Sequence, residues 1–177
     1  GPAGTGKPLL ACHAGIVGLN EETFSKMIIT RPVVSVEEDI GYLPGTLEDK
    51  MDPWVRPFMD IFADYYSQTA IQYMLKEKII EICPLAYMRG RTFKDAYLVA
   101  DEMQNSSPNQ MKMILTRLGE GSKAVITGDL RQHDRKYSEN GLKDICSRLD
   151  GKKYKRMSMI HFTSKDIERS QVVKDIL

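Results

Sequence analysis

A glycine-rich turn, Gly1-Pro2-Ala3-Gly4-Thr5-Gly6-Lys7, stands directly ahead of the apolar residues Leu9, Leu10, Ala14 and Val17. No other feature narrows the fold as much. Glycines at 1, 4 and 6 let successive N–H groups face one point. Lys7 adds a compact positive charge, and the start of the following helix adds the positive end of a dipole. Such a turn cradles phosphate and belongs between a strand and a helix of an α/β protein. The strand expected before Gly1 is not in the sequence. The chain is therefore expected to be a fragment or a truncated product cut at the motif. It would form one domain over 1–177, with a sheet that lacks its first strand and is less stable in isolation.

Position 8 departs from the pattern. A Ser or Thr there would offer a hydroxyl to Mg²⁺, but the residue is Pro8. A hydroxyl and a backbone N–H are lost together. A hydrogen bond to a charged group contributes roughly 1.5–3 kcal/mol, so the missing N–H alone weakens phosphate binding about tenfold to a hundredfold. Proline is sterically welcome in a first helical turn.

Downstream, helices and strands alternate. The periodicity predicts a helix after the turn that buries Leu9, Leu10, Ala14 and Val17. It predicts strands over Met27–Thr30, Ile79–Cys83, Ala96–Ala100, Lys123–Thr127 and Tyr154–Phe162. Leu47–Tyr66 reads as helical but interrupted by Pro53 and Pro57, and the overlapping Pro/Gly-rich stretch from Gly41 to Pro57 reads as an excursion from the sheet. Further helices are expected over Ile71–Lys78, from Ser107 to Gly119, around Leu142–Leu149, and over Asp166–Leu177 behind Ser164. Ser107 as N-cap, Pro108 in the first turn and Gln110 as reciprocal partner make the helix after Ser107 the best defined. The alternation predicts a three-layer α/β fold with a mainly parallel sheet.

The apolar run Ala96–Ala100 stops at Asp101-Glu102. An acid at such a strand tip can hold Mg²⁺, and the next acid can activate a water. The second apolar strand ends at Gly128-Asp129, with Gln132 three residues on, where an amide can contact a γ-phosphate or the attacking water.

The segments GPAGTGK (1–7), GYLPGTLEDKMDPWVRP (41–57), IEICPLAYMRGRTFKDAYLVADEMQN (80–105), QMKMILTRLGEGSKAVITGDLRQ (110–132) and ENGL (139–142) resemble the PhoH-like family. These are P-loop ATPases related in their core to superfamily-one helicases. The resemblance implies a cytoplasmic homo-oligomer that forms a ring, such as a hexamer, uses ATP and Mg²⁺ and has single-stranded RNA as its expected partner. It implies that Gly1, Pro2, Ala3, Gly4, Thr5, Gly6, Lys7 and Pro8 form the nucleotide loop, and that Asp101 holds Mg²⁺. Glu102 would be the general base, Gln132 the γ-phosphate sensor, and Gln104 the link between nucleotide state and the rest of the domain. Arg169 would be an arginine finger, or else an ordinary helix arginine. Met103 stands where a helicase-like motif has a small residue.

The remaining candidates are weaker. Arg89 and Arg91 flank Gly90 and can face phosphate oxygens of a neighbour's nucleotide or of RNA, or simply line a solvated turn. Arg31 after the first strand is a further nucleic-acid candidate. Trp54, Tyr65 and Tyr66 can stack bases, but such residues are more often core or interface residues. Lys152, Lys153, Lys155 and Arg156 form a dense basic run that suits a solvated loop or a phosphate backbone. A net charge of +1 excludes a general polybasic binder. Three cysteines without a CxxC pair fit a reducing compartment and neither a disulfide framework nor zinc, and the three histidines have no metal-ligand spacing. No apolar run reaches the ~18 residues of a membrane span. Two functions follow: an ATPase coupled to RNA binding or remodelling, or a nucleotide- or RNA-binding module that Pro8 has deprived of turnover.

Overall fold

In the computed structural model, residues 1–32, 47–132 and 140–168 are described, with 47–52 as backbone only. Gly41–Thr46, Glu139 and Arg169 lie outside them. Four parallel strands form one sheet: β1 (Lys26–Thr30), β2 (Ile80–Ile82), β3 (Ala96–Ala100) and β4 (Lys123–Ile126), in the order β2-β1-β3-β4. Ile29 pairs with Val99, and Val99 in turn with Val125. Five helices accompany the sheet among the described residues: α1 (Lys7–Asn20), α2 (Leu47–Ala63), α3 (Gln68–Lys76), α4 (Pro108–Leu115) and α5 (Gly141–Leu149).

The period of two along each strand sorts side chains to opposite faces. Met27, Ile29, Tyr97 and Val99 join α1, α2 and α3 in one core, with Ala11, Cys12, Ile16, Phe58, Phe62 and Ile71. Ile28, Ala96, Leu98 and Ala100 join α4 and α5 in the other, with Met111, Ile114 and Leu142. The expected three-layer α/β architecture with a parallel sheet is thus observed, and it agrees with a P-loop NTPase-like fold. β3 is buried along its whole length, as a central parallel strand must be.

Several elements differ from expectation. The buried face of α1 is Ala11, Cys12, Gly15, Ile16 and Gly18, while Leu9, Leu10 and Val17 are exposed. Close packing explains this: a Cβ at Gly15 would come within 2.7 Å of the Tyr97 ring, so α1 presents its smallest residues to β3. Pro53 and Pro57 do not interrupt α2 but lie inside it. Each proline forfeits one ladder bond. The helix persists because Phe58 and Phe62, one turn apart, dock into the core. Around Tyr154–Phe162 only an isolated bridge between Tyr154 and Met157 forms, not a strand. Ser164–Asp166 is a short 3-10 turn, and residues 169–177 of the expected closing helix lie outside the described residues. α4 has the expected capping box: Ser107 Oγ accepts from Gln110 N, and Gln110 Oε1 accepts from Ser107 N. It ends at Leu115, before Gly119.

Candidate functional site

In a parallel sheet, ligand sites lie beyond the carboxyl ends of the strands. β1, β3 and β4 end there in Thr30, Ala100 and Ile126, and backbone hydrogen bonds bind the segments that follow. Asp101 N donates to Thr30 O at 2.8 Å, Thr127 N to Ala100 O at 2.9 Å, and Met103 N to Thr127 O at 3.0 Å. The glycine loop arrives at the same place, since the Gly1 nitrogen donates to Gly128 O at 2.9 Å. Loop, acids and the turn after β4 therefore meet at one end of the sheet.

Gly4 and Gly6 have φ of 79° and 66°, a left-handed geometry that glycine adopts without penalty. Gly6 is the N-cap of α1 and contributes no side-chain cap. The N–H groups of a helix's first turn have no partner within the helix and can meet an anion, apart from the one that Pro8 lacks. Lys7 Nζ lies against its own loop, donating to Gly1 O at 2.8 Å and Pro2 O at 2.7 Å. Thr5 is buried, and its hydroxyl also donates to Pro2 O at 2.9 Å. A distant segment closes over the loop. Glu168 N donates to Gly4 O at 3.0 Å, and a Cβ at Gly1 would collide with Phe162.

Asp101 is buried, and its Oδ1 accepts a hydrogen bond from the Thr127 hydroxyl. Its charge reaches α1. Burial pushes the Cys12 thiol up to about 12, with Asp101 adding a smaller upward push, so Cys12 is an inert core thiol. Glu102 is half-buried with φ 52°, a left-handed conformation that is strained for a non-glycine residue. Its carboxylate accepts from Gln104 Nε2 at 2.5 Å. Gln104, itself buried, accepts at Oε1 from Asp129 N at 3.1 Å. Asp129 then organises the next turn, its Oδ1 accepting from Arg131 N at 3.0 Å and its carbonyl from Gln132 N at 3.2 Å. One chain of bonds runs from Glu102 to the turn that carries Gln132, whose side chain is exposed.

A magnesium ion with a triphosphate fits this donor set. Mg²⁺ is ordinarily held by one or two carboxylates together with the phosphates it bridges. Among the described residues no three His, Cys, Asp or Glu side chains form a cage, and the hydroxyl of Thr127 engages one of the two Asp101 carboxylate oxygens, Oδ1. Asp101 would hold the ion, and the glycine loop with Lys7 the phosphates.

The other described candidates enter none of these hydrogen bonds. Arg31 follows β1, its carbonyl accepting from Leu85 N at 3.1 Å. Arg89 is exposed. Arg91 forms a two-pronged ion pair with Glu81, one prong at 2.7 Å, and lies over the Phe93 ring. The Arg91 hydrogen bonds hold the Glu81 carboxyl below its ordinary value, against the opposing effect of burial. Arg91 thus fastens the segment after β2 to that strand. Tyr65 and Tyr66 bond His13 and Asn20, at 2.7 and 2.9 Å, bracing α1. Lys152, Lys153, Lys155 and Arg156 are exposed. The sequence pattern marks Thr127 only as the end of a strand and Gly128-Asp129 only as the turn after it, so nothing in it gives Thr127 a part in the site.

The family model for PhoH-like proteins matches residues 1–177. This chain belongs to the PhoH-like family. It is 45% identical over 181 residues to a PhoH-like protein of Bacillus subtilis, an alignment covering 100% of the chain and 55% of that relative. It is 42% identical to a PhoH-like protein of Mycobacterium tuberculosis and 36% identical to Protein PhoH of Escherichia coli, in each case over 100% of the chain and 50% of the relative. This PhoH-like chain therefore spans about half the length of the curated relatives it matches. No helix among its described residues is long and apolar enough to cross a membrane.

Proposed function

We propose that this chain binds ATP with Mg²⁺ and hydrolyses it, and that hydrolysis is coupled to single-stranded RNA. The reading is carried by one observation. Hydrogen bonds from Gly1 to Gly128 and from Thr127 to Asp101 gather the glycine loop and the acid pair at a single end of the sheet. When bound, Mg²⁺ supplies neutralisation of phosphate charge. The loop amides and the start of α1 hold the phosphates, and Lys7 turns from its own carbonyls to the β- and γ-oxygens. Glu102 takes the proton of the attacking water. Gln132 contacts the γ-phosphate, and the Gln104–Asp129 bonds carry its position back to Glu102. Arg31 and Arg89, together with the family resemblance, support RNA as the coupled partner. The resemblance supports a cytoplasmic ring of identical chains, with Arg169 reaching a nucleotide.

Steady-state phosphate release with Mg²⁺ and ATP tests the reading. Wild type should release phosphate, single-stranded RNA should change the rate, and Glu102→Gln should abolish turnover while nucleotide binding persists. Absence of adenine-nucleotide uptake in calorimetry would overturn it. A second reading, a nucleotide-binding module without turnover, is favoured by Pro8 alone. It wins if wild type binds nucleotide without releasing phosphate and Pro8→Thr restores release.

A further inference from the structure

The carboxylate assigned to the cation is held by a hydroxyl from another strand. Thr127 Oγ1 donates to Asp101 Oδ1, and both residues are more than nine-tenths buried. Thr127 cannot drift, because its N–H is bound to Ala100 O and its carbonyl to Met103 N. Its neighbour Gly128 accepts from the Gly1 nitrogen, so the strand end that aims the hydroxyl also anchors the glycine loop. Position 8, where a loop hydroxyl would face the cation, is Pro8. The other strand-end threonine, Thr30, is buried with its hydroxyl unpartnered. Thr127 is therefore the described side chain that donates to the Asp101 carboxylate.

We propose that Thr127 is the positioning residue for the cation. Its hydroxyl fixes the Asp101 rotamer with Oδ1 engaged and Oδ2 turned to the metal, and this fixes the carboxylate without help from position 8. The proposal rests on the nucleotide-binding reading above and adds to it the residue that orients the metal-holding acid. A hydroxyl donates one hydrogen bond to a carboxylate oxygen and keeps its own proton, so it orients the carboxylate without neutralising it. Valine has the same shape without that proton.

The test is calorimetry on the full-length protein with a non-hydrolysable ATP analogue, once with Mg²⁺ and once in chelator. Thr127→Val should weaken Mg²⁺-dependent binding about tenfold or more, the scale of one hydrogen bond to a charged group. Binding in chelator should be unchanged, and Thr127→Ser should restore the Mg²⁺-dependent value. In an Asp101→Asn background, Thr127→Val should have no further effect on the Mg²⁺ dependence. Manganese(II) paramagnetic resonance gives a second readout: Thr127→Val should shift the bound-metal signal and Thr127→Ser should preserve it. Equal losses with and without Mg²⁺ would reduce Thr127 to a structural role and overturn the proposal, as would a Thr127→Val protein indistinguishable from wild type. If the wild type takes up analogue in neither condition, the nucleotide reading falls and the proposal with it. If it takes up analogue equally in both, the proposal alone falls.

Discussion

Gly128 has no room for a side chain. An added Cβ would lie 2.6 Å from Gln104 Oε1 and 2.6 Å from Leu142 Cδ2. Gly128→Ala is expected to lower stability by about 1–3 kcal/mol through overpacking. It should also displace Gln104, so a thermal melt and turnover should fall together. Glu81 and Arg91 give a pH-dependent effect. The folded Glu81 carboxyl titrates below its ordinary value, so the pair adds stability above the unfolded carboxylate value of about 4.3. That stability fades as pH falls through the lower folded value. Arg91→Ala should cost about 1 kcal/mol at pH 7, because solvent screens this partly exposed pair, and progressively less as pH falls through the folded carboxyl's lowered value, measured by denaturant melts across that range. At this scale the sequence was partly legible. Asp101 and Glu102 announce themselves as acids that end an apolar run, and Ser107 and Gln110 as a capping pair. Thr127 does not, because its importance depends on β4 lying beside β3, and strand order is not written in local pattern.

Helix α2 shows what happens when packing overrides propensity. Pro53 and Pro57 are exposed, and each removes an N–H from the ladder, while Phe58 and Phe62 hold the helix in the core. Pro57→Ala should therefore stabilise the protein by about 1–2 kcal/mol. A restored hydrogen bond and better helix propensity outweigh the added freedom of the unfolded chain. A rise of several degrees in Tm would be the readout, and a fall would show that the ring is packed. The prolines hide the helix from local pattern because their cost, ~3 kcal/mol each, is offset by burial that the pattern does not display: Phe58 and Phe62 in the core, with Trp54, Met59 and Ile61 packed against it. Helix α1 misleads in the other direction. Leu9 and Leu10 look like core residues, yet Gly15 and Gly18 draw the opposite face onto Tyr97 and Phe24. Tyr154–Phe162 has strand-like residues, but a strand exists only with a neighbour to pair with.

Across the whole molecule, segments far apart in sequence converge on the opening loop. The turn after β4 holds it at Gly1, and the segment near Glu168 holds it at Gly4. A ligand in the loop should therefore quiet amide hydrogen exchange at all of them together, including the Glu168 amide. At a hundred times its Kd it should add about 2.7 kcal/mol of stability. Lys7→Ala should remove most of that gain, and differential scanning calorimetry would measure both effects. The alternating pattern of the sequence made the layers and the parallel sheet foreseeable. It could not reveal that the segment holding Phe162 and Glu168 returns to cover residues 1–4, because such long-range closure has no periodic signature.

The Lys7 ammonium has a further consequence. With two carbonyl oxygens already around it, any newcomer must outbid the backbone for that cation. A small monovalent anion offers little more than those carbonyls do, whereas a chain of phosphoryl groups offers several charged oxygens at once. If the turn binds a nucleotide as proposed, it would sort its ligands by charge density and favour polyphosphates over weakly charged metabolites.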